Sequence, residues 1–328
     1  MKILFLDSSQ IRQLLPMAQC IELMVDALSA LARDEVYQPL RTIVRPPHAH
    51  GLLGLMSAYR AGEHGAFGLK SICVFPENPA HGKDAHQGAV TLFSRETGEL
   101  LALMNASEIT AIRTAAVSAV ATRLLAREDA HSLALIGAGV QARTHLVALA
   151  CVRPIKRARV IARNFEHAEE LAREMQPQFA FPIEPVHTNE DAVRDADLIV
   201  AATSSLEPVL NKDWISAGAH INAIGTHSPT SREVDGATMA AARIFVDLRE
   251  SAMNESGDYL LAVKEGLITA DSIVAEIGEL LIGTNSGRTS ATEITLFKSL
   301  GLAIEDVTCA DYLYKKAVTE NVGTWVNL

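Results

Sequence analysis

The stretch SLALIGAGVQARTHLVAL, residues 132–149, passes from one kind of secondary structure to another without a loop between them. Its first residues form a short apolar run typical of a buried strand, and a helical pattern begins directly after Gly139. A strand that ends in Gly-x-Gly and turns into a helix directs free N–H groups and the positive end of the helix dipole to one point. The missing side chains of Gly137 and Gly139 let a pyrophosphate approach that point, and the small Ala142 allows the helix to pack closely on the strand. The stretch therefore predicts a dinucleotide site.

The residues that follow give this motif the context it requires. Short strand-like runs alternate with helical patterns, which is typical of βαβ units in a parallel sheet. Strands are predicted at LALIG (133–137), ARVIAR (158–163), DLIVAAT (197–203), HINAIG (220–225) and RIFVDL (243–248). Helices are predicted at 167–175 and 189–196, with Thr188 or Asn189 as the N-cap of the second. The pattern predicts a doubly wound α/β Rossmann domain over residues 118–295.

Residues 1–117 do not show this alternation. Strand-like runs at 41–45, 67–75 and 88–104 follow a helical segment at 18–34, and the last run contains a predicted hairpin turn. We interpret this part as an antiparallel α+β domain, against which residues 296–328 are expected to pack. Two domains also suit a length of 328 residues, since single cores rarely grow beyond roughly 250–300 residues.

Composition narrows the class of protein. A net charge of −10 argues against nucleic-acid binding, which requires clustered Lys and Arg. The apolar opening MKILFL is too short for a signal peptide, and no run approaches the ~20 apolar residues of a membrane span, so we expect a cytoplasmic protein. The cysteines lack the spacing of metal ligands and are predicted to be buried, reduced thiols without a metal: Cys20, Cys73, Cys151 and Cys309.

The end of the second Rossmann strand bears on the choice of cofactor. NAD-binding domains place an Asp or Glu there to bind the ribose hydroxyls, whereas this chain has Arg163 and Asn164. Arg163 can pair with a 2′-phosphate, which favours NADP and leaves NAD possible. The alternative is a solvated Arg163 that stacks on the adenine without selecting the phosphate.

Seven segments together resemble the ornithine cyclodeaminase/μ-crystallin family, in the same order along nearly the whole chain. They are QPLRTIV (38–44), LGLMSAY (53–59), GLKSI (68–72), EITAIRTAAVSAVAT (108–122), GAGVQA (137–142), GAHINAIGTHSP (218–229) and TLFKSLGLAIEDV (295–307). The resemblance implies a homodimer with a Rossmann domain and a substrate and dimerisation domain formed by 1–117 and 296–328. It also implies chemistry at the α-carbon of an amino acid, through an imine and a nicotinamide. Members include ornithine cyclodeaminases, alanine dehydrogenases, reductases of ketimines or iminosuccinate, and a thyroid-hormone-binding lens protein.

Three cations are candidates for binding and protonating the substrate. Arg41 and Arg113 can each bind a carboxylate bidentately, although either could instead pair with a structural acid. Lys70 lies in the apolar run FGLKSICVF, where a lysine is costly unless it meets an anion or loses its proton. The alternative for Lys70 is a surface position on an edge strand. By resemblance, all three face the active site.

The chain departs from the cyclodeaminases at two positions. Those enzymes use an aspartate and a glutamate to manage protons, and His227 and Gly54 stand in their places here. The loss weakens the case for ornithine cyclisation, whereas an imine reductase needs only one proton donor. His227 could be that donor or could cap a helix.

Further residues are assigned to the cofactor. By resemblance, the loop at His86 meets the nicotinamide end, and the loop at Lys298 and Ser299 also reaches the cofactor, although Lys298 could be a solvated charge. The full set is His86, Arg113, Gly137, Gly139, Val140, Gln141, Arg163, Asn164, Thr203, Ile224, Gly225, Lys298 and Ser299.

These residues favour an NAD(P)H-dependent enzyme that interconverts a small imino acid, or an oxo acid plus ammonia, with an L-amino acid. The alternatives are an ornithine cyclodeaminase and a non-catalytic binding protein of the μ-crystallin type. A second carboxylate on the substrate would require a further cation, for which Arg45 and Arg60 are the candidates.

Overall fold

The structure is a computed structural model that describes residues 2–62 and 65–328, except for the side chain of Pro79. Its strands are β1 (Lys2–Leu6), β2 (Val36–Tyr37), β3 (Thr42–Val44), β4 (Leu52–Arg60), β5 (Ala66–Val74), β6 (His86–Phe93), β7 (Leu100–Asn105), β8 (Ser132–Ile136), β9 (Arg157–Ile161), β10 (Ile183–Pro185), β11 (Leu198–Ala201), β12 (His220–Ala223), β13 (Ala242–Val246), β14 (Ile273–Glu276), β15 (Ile294–Lys298) and β16 (Thr324–Asn327). Its helices are α1 (Ser8–Leu14), α2 (Met17–Ala32), α3 (Ala106–Leu125), α4 (Val140–Ala150), α5 (Phe165–Met175), α6 (Asn189–Val193), α7 (Gly236–Ala241), α8 (Arg249–Glu255), α9 (Gly257–Lys264), α10 (Ile277–Leu281) and α11 (Ala303–Glu320).

The chain packs into two compact units. The first comprises Met1–Arg113 and Gly301–Leu328, and the second comprises Thr114–Leu300. The predicted boundaries at 117/118 and 295/296 therefore lie a few residues from the observed ones. The difference matters for β15, which was predicted to belong with the closing segment and is instead a central strand of the second unit.

The second unit is built on a parallel sheet with the order β10-β9-β8-β11-β12-β15-β13-β14. Every neighbouring pair is parallel, which confirms the doubly wound α/β fold predicted from the alternating pattern. The chain order reverses between β8 and β11, so their carboxyl ends form the switch point at which such sheets bind ligands. The sequence prediction missed β10, β14 and β15, which are short or lie outside the regular alternation of strands and helices.

The first unit is built on a mixed sheet with the order β16-β1-β7-β6-β5-β4-β2, and β3 also pairs with β4. The predicted hairpin is confirmed as β6 and β7, with Gly98 in its turn at a φ of +73°. The sheet is not wholly antiparallel as predicted, because β1 runs parallel to β7.

Helix α11 covers one face of this sheet, and α2 packs against α11. Even-numbered residues of β4 and β5 point toward the helices: a Cβ on Gly68 would lie 2.5 Å from Cγ2 of Val307 on α11. The opposite face carries apolar side chains that are exposed or half-buried, among them Leu55, Phe67 and Leu69.

The structure shows the burial of the four cysteines and the length and hydropathy of the helices. Cys20 and Cys309 are buried free thiols as predicted, but Cys73 is half-buried and Cys151, at the end of α4, is exposed. Among the described residues no single helix is long and apolar enough to cross a membrane; α1 and α2, which meet at 81°, pass that test only as a bent pair.

Candidate functional site

The glycine turn after β8 is shaped by two different constraints. Gly137 has a φ of +115°, and a Cβ there would lie 2.4 Å from the carbonyl oxygen of Ala202 at the end of β11. Gly139 is the N-cap of α4 with an ordinary φ of −80°, and a Cβ there would meet nothing within 4 Å. Fold geometry therefore explains Gly137, whereas the open space before Gly139 suits a ligand at the amino end of the helix. Ala142 is fully buried against the strand, as the motif requires.

The end of β9 presents a cation next to a helix start. Arg163 is exposed and forms no hydrogen bond or ion pair with the rest of the described chain. Asn164 caps α5 by accepting a hydrogen bond from the backbone N–H of Glu166 at 3.2 Å. Phe165 stacks on His187 beside them, with ring centroids 3.9 Å apart. This edge can accept a phosphate at Arg163 and an aromatic base nearby.

A buried carboxylate links the ends of β11 and β12. Glu233 accepts hydrogen bonds from the backbone N–H groups of Thr203 and Gly225, each at 2.5 Å. A Cβ on Gly225 would lie 2.2 Å from the carbonyl oxygen of Thr203, so a glycine is needed where the two chains approach. Burial raises the pKa of Glu233 to about 7, against the opposing influence of the Lys298 ammonium. Ile224, between these anchors, is buried.

A second buried carboxylate binds the end of β15 to this network. Asp258 accepts hydrogen bonds from the backbone N–H groups of Glu233 and Val234 and from the Thr226 hydroxyl, at 2.8–2.9 Å. Lys298 lies 2.9 Å from Asp258 and donates to the Thr226 carbonyl oxygen at 2.9 Å. Lys298 is only 1% exposed, so the alternative of a solvated charge is wrong. Neither Glu233 nor Asp258 was identified from the sequence, although each directly precedes an apolar residue, Val234 or Tyr259.

His227 and Ser299 also lie near these strand ends in the chain. His227 is exposed in the loop after β12. The next helix in the chain, α7, has Asp235 as its N-cap, so His227 does not occupy that position. Ser299 is buried and its backbone N–H donates to the carbonyl oxygen of Ala223 at 3.1 Å.

The first unit brings Lys70 and Arg113 together around one carboxylate. The Lys70 ammonium lies 2.7 Å from Oδ2 of Asp306, and Nε of Arg113 donates to Oδ1 at 3.2 Å. Nη1 of Arg113 donates to Oε2 of Glu305 at 2.7 Å. All four side chains are at most 5% exposed. The surface alternative for Lys70 is wrong, since β5 is an inner strand and Lys70 faces α11.

Arg41 and Gly301 adjoin this cluster. Nη2 of Arg41 donates to the carbonyl oxygen of Gly301 at 2.9 Å. Gly301 has a φ of +77°, and a Cβ there would lie 2.4 Å from Nη1 of Arg113. The turn before α11 therefore needs a glycine to admit Arg113. The following helix places Glu305 and Asp306 at its positive amino end.

Burial and charge set the protonation of these groups. Burial, followed by the nearby positive charge of Arg113, lowers the pKa of Lys70 to about 8, and Asp306 opposes the change. Burial also opposes the charge of Arg113, but Asp306 and Glu305 outweigh it and raise the pKa of Arg113. His86, which begins β6, is exposed, and partial desolvation together with the charges of Lys70 and Arg113 lowers its pKa. Lys70 can thus exchange a proton near neutral pH, while Arg113 stays charged.

The predicted residues therefore form two sets. One contains Arg41, Lys70, His86 and Arg113 in the first unit, and the other surrounds the carboxyl ends of β8, β9, β11, β12 and β15 in the second. No group of three or more His, Cys, Asp or Glu side chains among the described residues is placed to hold a metal ion.

A model of the ornithine cyclodeaminase/mu-crystallin family matches residues 1–321. The chain belongs to this family. It is 37% identical over 321 residues to a Delta(1)-pyrroline-2-carboxylate reductase of Bacillus cereus, with 98% of each chain covered. The structure of the Thermococcus litoralis Delta(1)-pyrroline-2-carboxylate reductase, in complex with NADH and L-proline, is 38% identical with a TM-score of 0.96, and the match covers 99% of this chain and 100% of that one. An archaeal alanine dehydrogenase dimer with bound NAD is 32% identical with a TM-score of 0.93 over 100% of both chains.

The two glycines of the turn should respond differently to alanine. Gly139→Ala places a methyl group in the open space before α4, so we expect an unchanged melting temperature and NAD(P)H binding weakened by at least about tenfold. Gly137→Ala is expected to lower the melting temperature, because its Cβ collides with backbone and its φ is left-handed. Thermal unfolding and fluorescence titration with NADH and NADPH measure both effects. Tight binding of either nucleotide by Gly139→Ala would show that the turn does not hold the pyrophosphate.

Proposed function

We propose that this protein is an NAD(P)H-dependent oxidoreductase that reduces a small imino acid to the corresponding L-amino acid. The observation that carries the proposal is the buried set of Lys70 and Arg113, with Arg41 beside them, in a chain similar throughout to pyrroline-2-carboxylate reductases. Guanidinium groups bind the carboxylate that every imino acid carries, and a lysine with a pKa of about 8 holds a transferable proton.

The residues fit a nicotinamide dinucleotide. Gly139 leaves space at the amino end of α4 for the pyrophosphate, and Arg163 lies where the adenosine ribose is expected. When bound, the cofactor supplies the hydride that reduces the imine carbon. The chain's own part is to bind the substrate carboxylate through Arg113 and Arg41 and to hold the compensating proton on Lys70. Glu233, Asp258 and Lys298 hold in place the strand ends beside which the cofactor would bind.

A cyclic imine such as Δ1-pyrroline-2-carboxylate is our first choice of substrate, since two similar proteins bear that name. The second candidate is an oxo acid plus ammonia, which the likeness to alanine dehydrogenase favours. Ornithine cyclisation is less well supported, because His227 and Gly54 replace the acids of that reaction. Assays of NADPH and NADH oxidation with a panel of imino and oxo acids test the proposal. A protein that binds NADPH but oxidises it with none of them would be a binding protein instead.

Arg163 should determine the preference between the two cofactors. We propose that NADPH binds more tightly than NADH, because the exposed guanidinium can pair with the 2′-phosphate. Arg163→Ala should narrow the difference in binding free energy by on the order of 1–3 kcal/mol. Calorimetric titration of both cofactors into both proteins measures it. A wild-type preference for NADH would contradict this role.

Arg113 should be required for carboxylated substrates. Arg113→Lys keeps the charge but loses the planar guanidinium that Asp306 and Glu305 orient, and with it the remaining donors that can meet a carboxylate. We therefore expect kcat/KM for imino acids to fall by on the order of a hundredfold, with a smaller change in NADPH affinity. Arg60→Lys is the matched control: Arg60 is similarly buried in the same unit and donates to Asp26 at 2.6 and 2.8 Å. Equal losses in both variants, or equal losses on an imine without a carboxylate, would assign the effect to folding.

A homodimer is expected from the uncovered face of the sheet in the first unit. Phe67 is 48% exposed on that face, and the similar alanine dehydrogenase is a dimer. Phe67→Glu should therefore shift the sedimentation coefficient at micromolar concentration from dimer to monomer. Val318→Glu is the control, because Val318 is 49% exposed on α11, which packs on the other face. A monomeric wild-type protein would refute the expectation.

A further inference from the structure

One buried carboxylate of the second unit joins the backbone segments around the predicted nucleotide site. We propose that Glu233 is a positioning residue for the cofactor, that its ionised form holds these segments together, and that nucleotide binding is therefore coupled to release of the Glu233 proton. The inference rests on the NAD(P)-dependent function proposed above and adds to it a determinant of cofactor affinity.

The two carboxylate oxygens of Glu233 are divided between two strand ends. Oε1 accepts a hydrogen bond from the backbone N–H of Thr203 after β11, and Oε2 accepts one from the backbone N–H of Gly225 after β12, each at 2.5 Å. Because a peptide group is planar, the bond to Thr203 also fixes the direction of the Ala202 carbonyl group. The oxygen of that carbonyl packs against Gly137, the first glycine of the turn before α4. Glu233 thus positions both strand ends and, through Ala202, the glycine turn.

Glu233 is itself held from the other side. Its backbone N–H and that of Val234 donate to Oδ1 of Asp258 at 2.8 and 2.9 Å, and Asp258 lies 2.9 Å from the Lys298 ammonium. Glu233 and Asp258 are both fully buried. Solvent therefore does not replace an acceptor that is lost from this network.

Protonation of Glu233 would break one of its two backbone hydrogen bonds. A carboxylate accepts at both oxygens, whereas a protonated carboxyl group carries a hydroxyl that donates. That hydroxyl would face the N–H of Thr203 or Gly225 and leave a buried donor without an acceptor. One strand end is then released, and a nucleotide must order it again on binding, which lowers its affinity.

The Glu233 proton is exchanged near neutral pH. Burial raises the pKa of Glu233 to about 7, the Lys298 ammonium opposes this rise, and the Asp258 carboxylate adds to it. A nucleotide that binds the ionised form more tightly lowers the pKa of Glu233 further. Binding near this pH therefore releases a proton.

The other ionisable groups of the same loop do not share this position. Arg232 pairs with Glu265 at 2.7 Å, and Asp235 is the N-cap of α7. His227 is exposed. Its titration persists when Glu233 is replaced, so a comparison of variants removes its contribution.

Calorimetric titration of NAD+ and NADP+ into the wild type and Glu233→Gln tests the proposal. We expect the wild-type dissociation constant to rise by about tenfold between about pH 8.5 and 5.5. Glu233→Gln should bind about tenfold more weakly at about pH 8.5 and change little with pH, because its NH₂ group faces one of the two N–H groups. The 2′-phosphate of NADP+ titrates alike in both proteins, so its effect cancels.

Asp197→Asn is the matched control. Asp197 accepts hydrogen bonds from the backbone N–H groups of His131 and Ser132, each at 3.0 Å, at the amino ends of strands in the same sheet. Its replacement should lower the melting temperature without changing the affinity for either nucleotide or its dependence on pH.

Proton release is measured directly by repeating the titrations at about pH 6.5 in buffers of different ionisation enthalpy. The wild type should release about half a proton per nucleotide bound, and Glu233→Gln should release less. Asp258→Asn removes a charge that raises the pKa of Glu233, so it should move proton release to lower pH. The wild-type and Asp258→Asn measurements keep the test decisive if Glu233→Gln does not fold.

The outcomes separate this role from the proposed function. Proton uptake on binding, or an affinity that depends on pH equally in the wild type and Glu233→Gln, would overturn the role of Glu233 and leave the oxidoreductase proposal intact. If the wild type binds neither nucleotide at any pH, the proposed function fails, and the role of Glu233 fails with it.

Discussion

The ion pairs at the start of α11 are the constraint on which the first unit depends. Placing Lys70 and Arg113 out of water is costly, and Asp306 and Glu305 offset that cost only while the geometry is kept. Removing one partner from such a buried pair typically costs about 3–5 kcal/mol, because an uncompensated charge remains. The pairs therefore join the carboxyl-terminal helix to β5 and α3 in addition to its apolar packing. They also explain why residues from both ends of the chain form one unit.

The second unit also contains buried polar groups, and buried charged side chains compensate them. Strand ends that approach a ligand carry backbone N–H groups without ladder partners, and buried groups of this kind must find acceptors. Glu233 accepts two such N–H groups, one at each carboxylate oxygen, and Oδ1 of Asp258 accepts two more from the loop that follows. Lys298 lies 2.9 Å from Asp258 and donates to the carbonyl oxygen of Thr226. Both units thus use buried charges to hold irregular backbone, and in both the charged groups lie where the chemistry is proposed.

Local pattern was sufficient to predict the Rossmann sheet. Gly137 and Gly139 identified the turn, and the apolar neighbours of Lys70 indicated a buried lysine, because these signals depend only on nearby residues. The acids could not be predicted in the same way. Glu305 and Asp306 look like ordinary first-turn residues of a helix, and nothing local indicates that Arg113, 192 positions before Glu305, donates to them. β15 was misassigned for the same reason, since its neighbours β12 and β13 lie far away in the chain.

The protonated form of Lys70 is needed for the proposed reaction but lowers the free energy of unfolding. Its pKa is about 8 in the folded protein and near 10.5 when unfolded, so the folded state binds this proton more weakly. The unfolded chain holds more protons between these two values, and the contribution of Lys70 to stability therefore rises as the pH increases from about 8 to 10.5. Below pH 8 the buried ammonium costs the fold free energy on the order of 3 kcal/mol, which Asp306 keeps from being larger. The proposed reaction needs that ammonium as a proton donor. The protonated state that serves catalysis is thus the less stable one, and the carboxylate that positions the lysine is also what makes this state tolerable.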